Sequence, residues 1–365
     1  MTSEWHEVPL RELVGYISKG IAPSYAEEAS ETTIRVLNQK CNRNFRISYG
    51  DSRLHDTLKK KVPPERYVKP DDILINSTGA GTAGRIAQIE DVPSATTIDG
   101  HMILIRSNGK VTQKFLGYAL KAHQWEVLQL DEGSTGQTEL NRDRLLDEIM
   151  INYPVSFDEQ NAIVGTLESI DRKLIVNEQL NDNLEQQAQA IYCDMFITNA
   201  NPSWQLGRLS DLITVRYGKD HKKLADGIYP VYGSGGVMRY VEKPLYDKES
   251  VLIPRKGTLN NVMYVNKPFW SVDTMFFTEM KLPNVAKFVF HFVKSKDLAS
   301  LNAGSAVPSM TTDILNAMEL PIPDADTFYK FENIVAPLYQ AMQQNAQESS
   351  KLAELRDSLL HRLMS

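Results

Sequence analysis

The stretch DDILINSTGAGTAGRIAQI, beginning at Asp71, places Gly79, Gly81 and Gly84 in the spacing G-x-G-x-x-G behind a strand-like apolar run. In a dinucleotide-binding loop such glycines let the backbone approach a pyrophosphate, and the helix that follows presents its N-terminus to the anion. Here the chain continues Arg85-Ile86-Ala87-Gln88-Ile89, which alternates with period two, and meets Pro93 before a helix could complete two turns. The anion-binding helix is missing. Asp99 falls where a ribose-binding carboxylate would sit, but TTIDGHMILIR around it reads as another strand entry. The expectation is therefore strand, Gly-rich tip, strand. Other chemistry fares no better. GYISKG from Gly15 mimics P-loop glycine spacing but continues with Ile21 instead of Lys-Ser/Thr. The seven histidines form no i, i+4 pair, and no nucleophile elbow accompanies the serines. Cys41 and Cys193 lie far apart without His partners at ligand spacing, so the expectation is two plain thiols, no disulfide and no metal.

The elements that must carry these residues are bounded by composition. A chain of 365 residues with 42% hydrophobic and 24% charged residues has room for two or three globular domains. The N-terminus MTSEWHEVPL lacks a basic stretch followed by an apolar run, and no segment offers the roughly eighteen apolar residues of a membrane span. The expected location is the cytoplasm. The net charge of −6 argues at first against a nucleic-acid partner, but it is unevenly placed: −2 over 1–157, −6 over 158–199, +3 over 200–325 and −1 over 326–365. Arg35 to Lys69 carries ten basic and three acidic residues, and Arg216 to Lys256 nine and five. On charge alone, these stretches read equally as binding surfaces or as solvated lysine faces.

The chain is written twice. EWHEVPLRELVGYISKG at Glu4 matches SWQLGRLSDLITVRYGK at Ser203, with Trp5 over Trp204, Leu10 over Leu209, Leu13 over Leu212 and Gly20 near Gly218. TIRVLN at Thr33 parallels IYPVYG at Ile228, and DDILINSTG lies on ESVLIPRKG with Gly79 over Gly257. Further on, Asp99 pairs with Asp273, and Gly133-Ser134 with Gly304-Ser305. The scaffold repeats while the loop tips differ: AGTAG in the first copy stands where the second has TLNNV. Each copy ends in a long helical stretch introduced by proline. The first carries a 4-3 seam through Ile163, Leu167, Ile170, Leu174, Leu184 and Ile191, with Asn177 and Asn181 in its middle. The second gives Ile334, Leu338, Ala341, Asn345, Glu348, Leu352, Leu355 and Leu359 at the same spacing, with Pro337 near its start. Two seams of equal length in one chain are expected to bury each other, antiparallel, which relates the two copies by a pseudo-two-fold axis. Asn177 and Asn181 either set the register or meet another subunit.

Two α/β-type units alternating with two long helices, with the repeated W…L entry, the DILI…G and SVLI…G strands and the GS loops, resemble the specificity subunit of type I restriction-modification enzymes. The resemblance covers nearly the whole chain, and order and duplication carry it more than any single motif. It implies an α/β (α+β) fold of two similar target recognition domains, over 1–157 and 200–325. Two long spacer helices, 158–199 and 326–365, would form the antiparallel coiled coil that separates them. It implies that each domain reads one half of a split double-stranded DNA site in phage defence. It also implies that the helices dock two methyltransferase subunits, and that restriction/translocase subunits join the complex. S-adenosylmethionine and ATP would belong to those partners, with no cofactor in this chain and no catalysis of its own. The sequence agrees in lacking an Asn/Asp-Pro-Pro-Tyr/Phe methyltransferase motif; the nearest string, INYPV at Ile151, has one proline at a helix entry. The competing reading is a coiled-coil scaffold whose repeated domains bind proteins.

Base reading needs Arg, Lys, Asn or Gln presented into a groove, and phosphates are gripped by Lys, Arg, hydroxyls and backbone amides. The first copy offers Arg35, Asn38, Gln39, Lys40 and Arg43, the run Lys59, Lys60 and Lys61, and the tip Ser77 to Arg85 with Ser77, Thr78 and Arg85. That tip reads either as a DNA-facing loop or as a simple hairpin turn. Gln137 and Thr138 in GSTGQT are further candidates. The second copy offers Lys219, Lys222, Lys223, Tyr232, Ser234, Arg255, Lys256, Asn260 and Asn261. If the helices space the domains, half-site centres about one turn of B-DNA apart are expected, because major grooves recur on one side about every 10 base pairs.

Overall fold

The structure is a computed structural model and describes residues 4–79, 81–132, 139–301 and 309–364. It divides into two compact units, Met1–Asn177 with Gln347–Ser365, and Glu178–Ala346.

In the first unit, Trp5–Pro9 pairs antiparallel with Met150–Pro154 and closes the domain on itself. A four-stranded sheet follows in the order Val14–Lys19, Met102–Ser107, Ile73–Asn76, Ile86–Gln88, all neighbours antiparallel. A second sheet runs Thr96–Ile98, Thr33–Leu37, Arg53–Asp56, Tyr25–Ala26, and its first pair is parallel. The Ile73–Asn76 strand is buried at every position because it has a core on both faces: Leu74 points between the two sheets with Leu37, Met102 and Leu104, while Ile73 and Ile75 meet the helix Gln113–Ala122. That helix starts where the Thr112 hydroxyl accepts from Phe115 N at 3.2 Å.

In the second unit the same strands return. Gln205–Arg208 pairs with Glu319–Ile322. The main sheet runs Ile213–Tyr217, Met275–Met280, Ser250–Pro254, Met263–Val265. The smaller sheet again contains a parallel pair, Asp226–Gly233 with Trp270–Ser271. The agreement reaches single hydrogen bonds: Leu10 N to Ile149 O and Leu209 N to Met318 O are both 2.8 Å, and Asn108 N to Leu13 O matches Lys281 N to Leu212 O at the same length. Gly20 and Gly218 occupy one position for one reason. A Cβ there would lie 2.1 Å from Asp99 O in the first copy and 2.0 Å from Val272 O in the second. The equivalent of Asp99 is thus Val272, and Asp273 stands one residue later, so the expected pairing of the two aspartates is off by one.

The long helices span Phe157–Cys193, extended by a π-helical turn Asp194–Thr198, and Ala325–Met364. Pro337 falls inside the second without ending it. The compact units cut across both helices rather than at their ends, since each helix half packs on a different unit. In the first unit the helices run antiparallel, with Asp171 on Arg356 at 3.2 Å, Lys173 on Glu348 at 3.1 Å, and Asn177 donating to Glu348 and Ser349 at 2.8 and 3.2 Å. In the second unit Asn181 donates to Met342 O and accepts from Asn345 at 2.9 Å. Both asparagines thus bridge the two long helices, as the register reading expects.

Along the first helix Ile163, Leu167 and Ile170 are buried, and Leu174, Leu184 and Ile191 half-buried. The second seam departs from the expected one. Leu338, Leu352 and Leu359 are half-buried, but Ile334 and Leu355 are half exposed, at 50% and 49%. Val335, fully buried, and Arg356, half-buried against Asp171, each one residue on, take the inward places instead. The reason is tertiary: Phe328, Phe331, Val335 and Tyr339 must face the second unit's aromatic core, and Arg356 must reach Asp171.

Candidate nucleic-acid interface

The glycine tip of the first copy is a turn between strands. Gly79, Gly81 and Gly84 all take left-handed φ values, +110°, +69° and +84°, and the chain returns directly into Ile86–Gln88. At Gly79 a Cβ would approach Gln39 Oε1 to 2.8 Å; at Gly257, φ +85°, it would approach Ser234 Oγ to 2.7 Å. The parallel-strand registers place Leu37 and Tyr232 equivalently, hence also Gln39 and Ser234. In both copies, then, the main sheet ends in a glycine tip seated against the loop that leaves the smaller sheet.

Around the first tip, Thr78 Oγ1 lies 2.8 Å from His101 Nδ1 and 3.5 Å from Gln39 Oε1. Asn76 donates to Gln39 O, and Asn42 donates to Asn76 Oδ1 at 3.2 Å and to Arg85 O at 2.8 Å. The Arg85 guanidinium turns back on Gly81 O at 3.1 Å. Ser77 does not stand at the surface as expected: it is fully buried, because the strand it follows is covered on both faces, and its carbonyl accepts from Leu140 N. Asn38 shapes the loop, capping Lys40 N and holding Asp51 O. Arg35, half-buried, is held by Ser52. Lys40 and Arg43 are exposed. Lys59, Lys60 and Lys61 are exposed at the far end of the smaller sheet, where Lys60 binds Ala22 O, so the structure does not bring them into the tip cluster. Gln137 and Thr138 lie outside the described residues. Sequence reasoning missed His101, Asn42 and Asn76; the only signal was their nearness to the tip strands. It also passed over Arg53, whose guanidinium stacks 3.4 Å over the Tyr25 ring.

Around the second tip, Asn261 donates to Ser234 O at 2.7 Å, and Asn260 donates to Asp297 and accepts from Ala299 N. These amides brace the loop. Arg255 reaches Asp273 O at 3.3 Å and lies over the Tyr217 ring, whereas Lys256 is exposed. Lys219, Lys222 and Lys223 are exposed on the turn after Ile213–Tyr217, and the Lys219 carbonyl is held by Trp270 Nε1. Tyr232 is half-buried, and burial raises its phenol.

Each copy thus presents a braced tip with cations about it, and matched positions carry different side chains, Gln39 in the first where the second has Ser234. The family model described as the type I restriction modification DNA specificity domain matches twice, over residues 2–186 and 201–355. The chain belongs to that family. Among relatives, a Mycoplasma genitalium protein named as a type I specificity subunit is 26% identical over 277 residues, covering 68% of this chain and 70% of its own. The specificity subunit of the type I restriction enzyme MjaIX from Methanocaldococcus jannaschii is 21% identical over 363 residues, covering 87% and 82%. The crystal structure of a type I restriction-modification S subunit from M. genitalium superposes with a TM-score of 0.60 over 100% of this chain and 97% of that one, at 19% identity. The two specificity domains therefore share that fold. Among the described residues no helix is long and apolar enough to cross a membrane, and no group of three or more His, Cys, Asp or Glu could hold a metal ion.

Proposed function

We propose that the chain is the DNA-recognition subunit of a type I restriction-modification complex, each specificity domain reading one half of a bipartite duplex site through its tip. The observation that carries this reading is the duplication itself. The main-sheet scaffold occurs twice, down to matched hydrogen bonds, while the tips carry different side chains, which is what two half-sites of unrelated sequence require. Glycines at the first tip allow close backbone approach, and Lys40, Arg43, Lys256, Lys219, Lys222 and Lys223 supply cations for phosphates. Arg85, Thr78, Gln39 and Arg255 are the groups best placed for base edges. In this reading the chain performs no chemistry. Methyl transfer with S-adenosylmethionine belongs to two docked methyltransferase subunits and ATP-driven restriction to further partners, and the complex works in the cytoplasm. Sequencing methylated positions in a host carrying the chain with its methyltransferase partners tests it. A split motif modified on both strands is expected, and an undivided or absent motif would overturn the reading.

A further inference from the structure

Lysine seldom goes under the surface, and then with a partner, because removing an ammonium from water is costly. Two are buried here, each against a carboxylate. In the first unit Lys121, on Gln113–Ala122, has a side chain 10% exposed, and its Nζ meets Asp171 of the first long helix at 2.8 Å. In the second unit Lys287, on the equivalent helix Ala286–Lys294, is 7% exposed and meets Glu332 of the second long helix at 2.6 Å. The two lysines sit at opposite ends of their helices, so the repeat does not explain them both; the same physical arrangement is built from different positions.

Each ammonium also faces aromatic rings of its own domain. Lys121 Nζ lies 5.0 Å from the centre of the Phe45 ring and 5.3 Å from that of Tyr118, while Lys287 Nζ lies 5.2 Å from the centre of Tyr264 and 5.4 Å from that of Tyr339. Two of these rings, Phe45 and Tyr264, lead to the tips. Phe45 forms the turn between Asn42–Arg43 and Arg46–Ile47, and Asn42 is the residue that holds Asn76 and Arg85 O. Tyr264 lies on Met263–Val265, which leaves the second tip directly, and its hydroxyl donates to Glu249, the second carboxylate on Lys287. Phe45 moreover has φ +62°, a left-handed conformation that a bulky residue rarely adopts. The Phe45 ring lines a cavity of about 300 Å³ together with Lys121 and Asp171.

We propose that Lys121 and Lys287 are positioning residues for base reading: each clamps the root of its domain's tip to a long helix through buried ion pairing on one side and aromatic contact on the other. This rests on the reading of the tips as the DNA-facing parts. Burial pushes the Lys121 ammonium down, with Asp171 opposing; it pushes the Asp171 carboxyl up, but Lys121 and Arg356 outweigh it and hold that group low. Lys121 thus relies on Asp171, which Arg356 and the Tyr118 hydroxyl also hold, and without the lysine the Phe45 ring loses the cation that ties it to the long helix.

The test uses the full chain assembled with its methyltransferase partners and reads base preference at each half-site by sequencing methylated positions. With Lys121→Met, discrimination at the first half-site, ordinarily about ten- to a hundredfold per base pair, is expected to fall to a few-fold while the second half-site is unchanged. Lys287→Met is expected to do the reverse, and Lys→Arg at each position, which keeps charge and ring contact, to restore the preference. Should either methionine variant fail to fold, Asp171→Asn and Glu332→Gln keep the shape of the site and are read the same way. A folded variant with both half-sites intact, or with both relaxed equally, overturns the clamp. If the unaltered complex shows no bipartite motif, the proposed function fails instead.

Discussion

Gly79 and Gly257 do the same work in the two copies, and the work is steric. At φ +110° and +85° a Cβ is strained, and at both positions it would also press on the neighbouring loop, so Gly79→Ala or Gly257→Ala should cost about 1–2 kcal/mol in its own unit. Thermal melting of each variant checks this; an unchanged midpoint would show that the tips are not braced. His291 gives a second single-residue outcome. It is fully buried, with its ring nitrogens 2.7 Å from Gln189 Oε1 and 2.9 Å from the Tyr339 hydroxyl, and burial pushes its imidazole from 6.5 down to about 3. The unfolded chain therefore takes up the proton first as pH falls. The stability that the neutral ring supplies is whole above pH 6.5 and is lost between there and about pH 3, amounting to about 2 kcal/mol by pH 5. His291→Gln should flatten the pH dependence of melting over that window, and a slope equal to the unaltered chain's would count against it.

At the scale of elements, the second long helix shows how neighbours choose a face. Ile334 and Val335 are adjacent and both apolar, yet only Val335 is inward. Val335→Asp should unfold the second unit or lower its melting by several kcal/mol, whereas Ile334→Asp should stay within about 0.5 kcal/mol. Circular dichroism melts of the two variants decide it. The helices carry a further expectation as spacers. A helix of 37 residues is about 55 Å long at about 1.5 Å per residue, so adding four residues to both should widen the unread gap of the DNA site by one or two base pairs and leave the half-sites unaltered. An insertion variant that folds but keeps its spacing would show that the helices do not measure distance on DNA.

For the molecule as a whole, the repeat predicts independence of the two readings. Replacing Arg255 and Lys256 should change only the half-site read by the second domain, seen by sequencing methylated sites; equal change at both would defeat the modular account. Asn260 and Asn261 are poorer targets for that experiment than their type suggests, since their amides brace the loop. Binding should weaken steeply with salt through counterion release, as a protein-binding scaffold need not.

The sequence by itself determined the architecture: a repeat legible in Trp, Leu and Gly spacing, and two long helices legible as 4-3 seams. These features survive in one dimension because each rests on one residue type at one position, as at Gly20 and Gly218, where a close approach of the facing strand leaves a side chain no room in either copy. It also determined that the glycine triplet was a tip, because the residues after Gly84 alternate as a strand. Only the tertiary structure decided which side chains are free to act. Ser77 lies inward because the strand is covered on both faces, Asn38, Asn260 and Asn261 spend amides on their own loops, and Ile334 yields to Val335 because an aromatic core sets the helix rotation. The buried clamps at Lys121 and Lys287 were out of reach for the same reason. Each joins residues separated by tens of positions, and sequence spacing carries no trace of a contact that the packing of a helix on a domain creates.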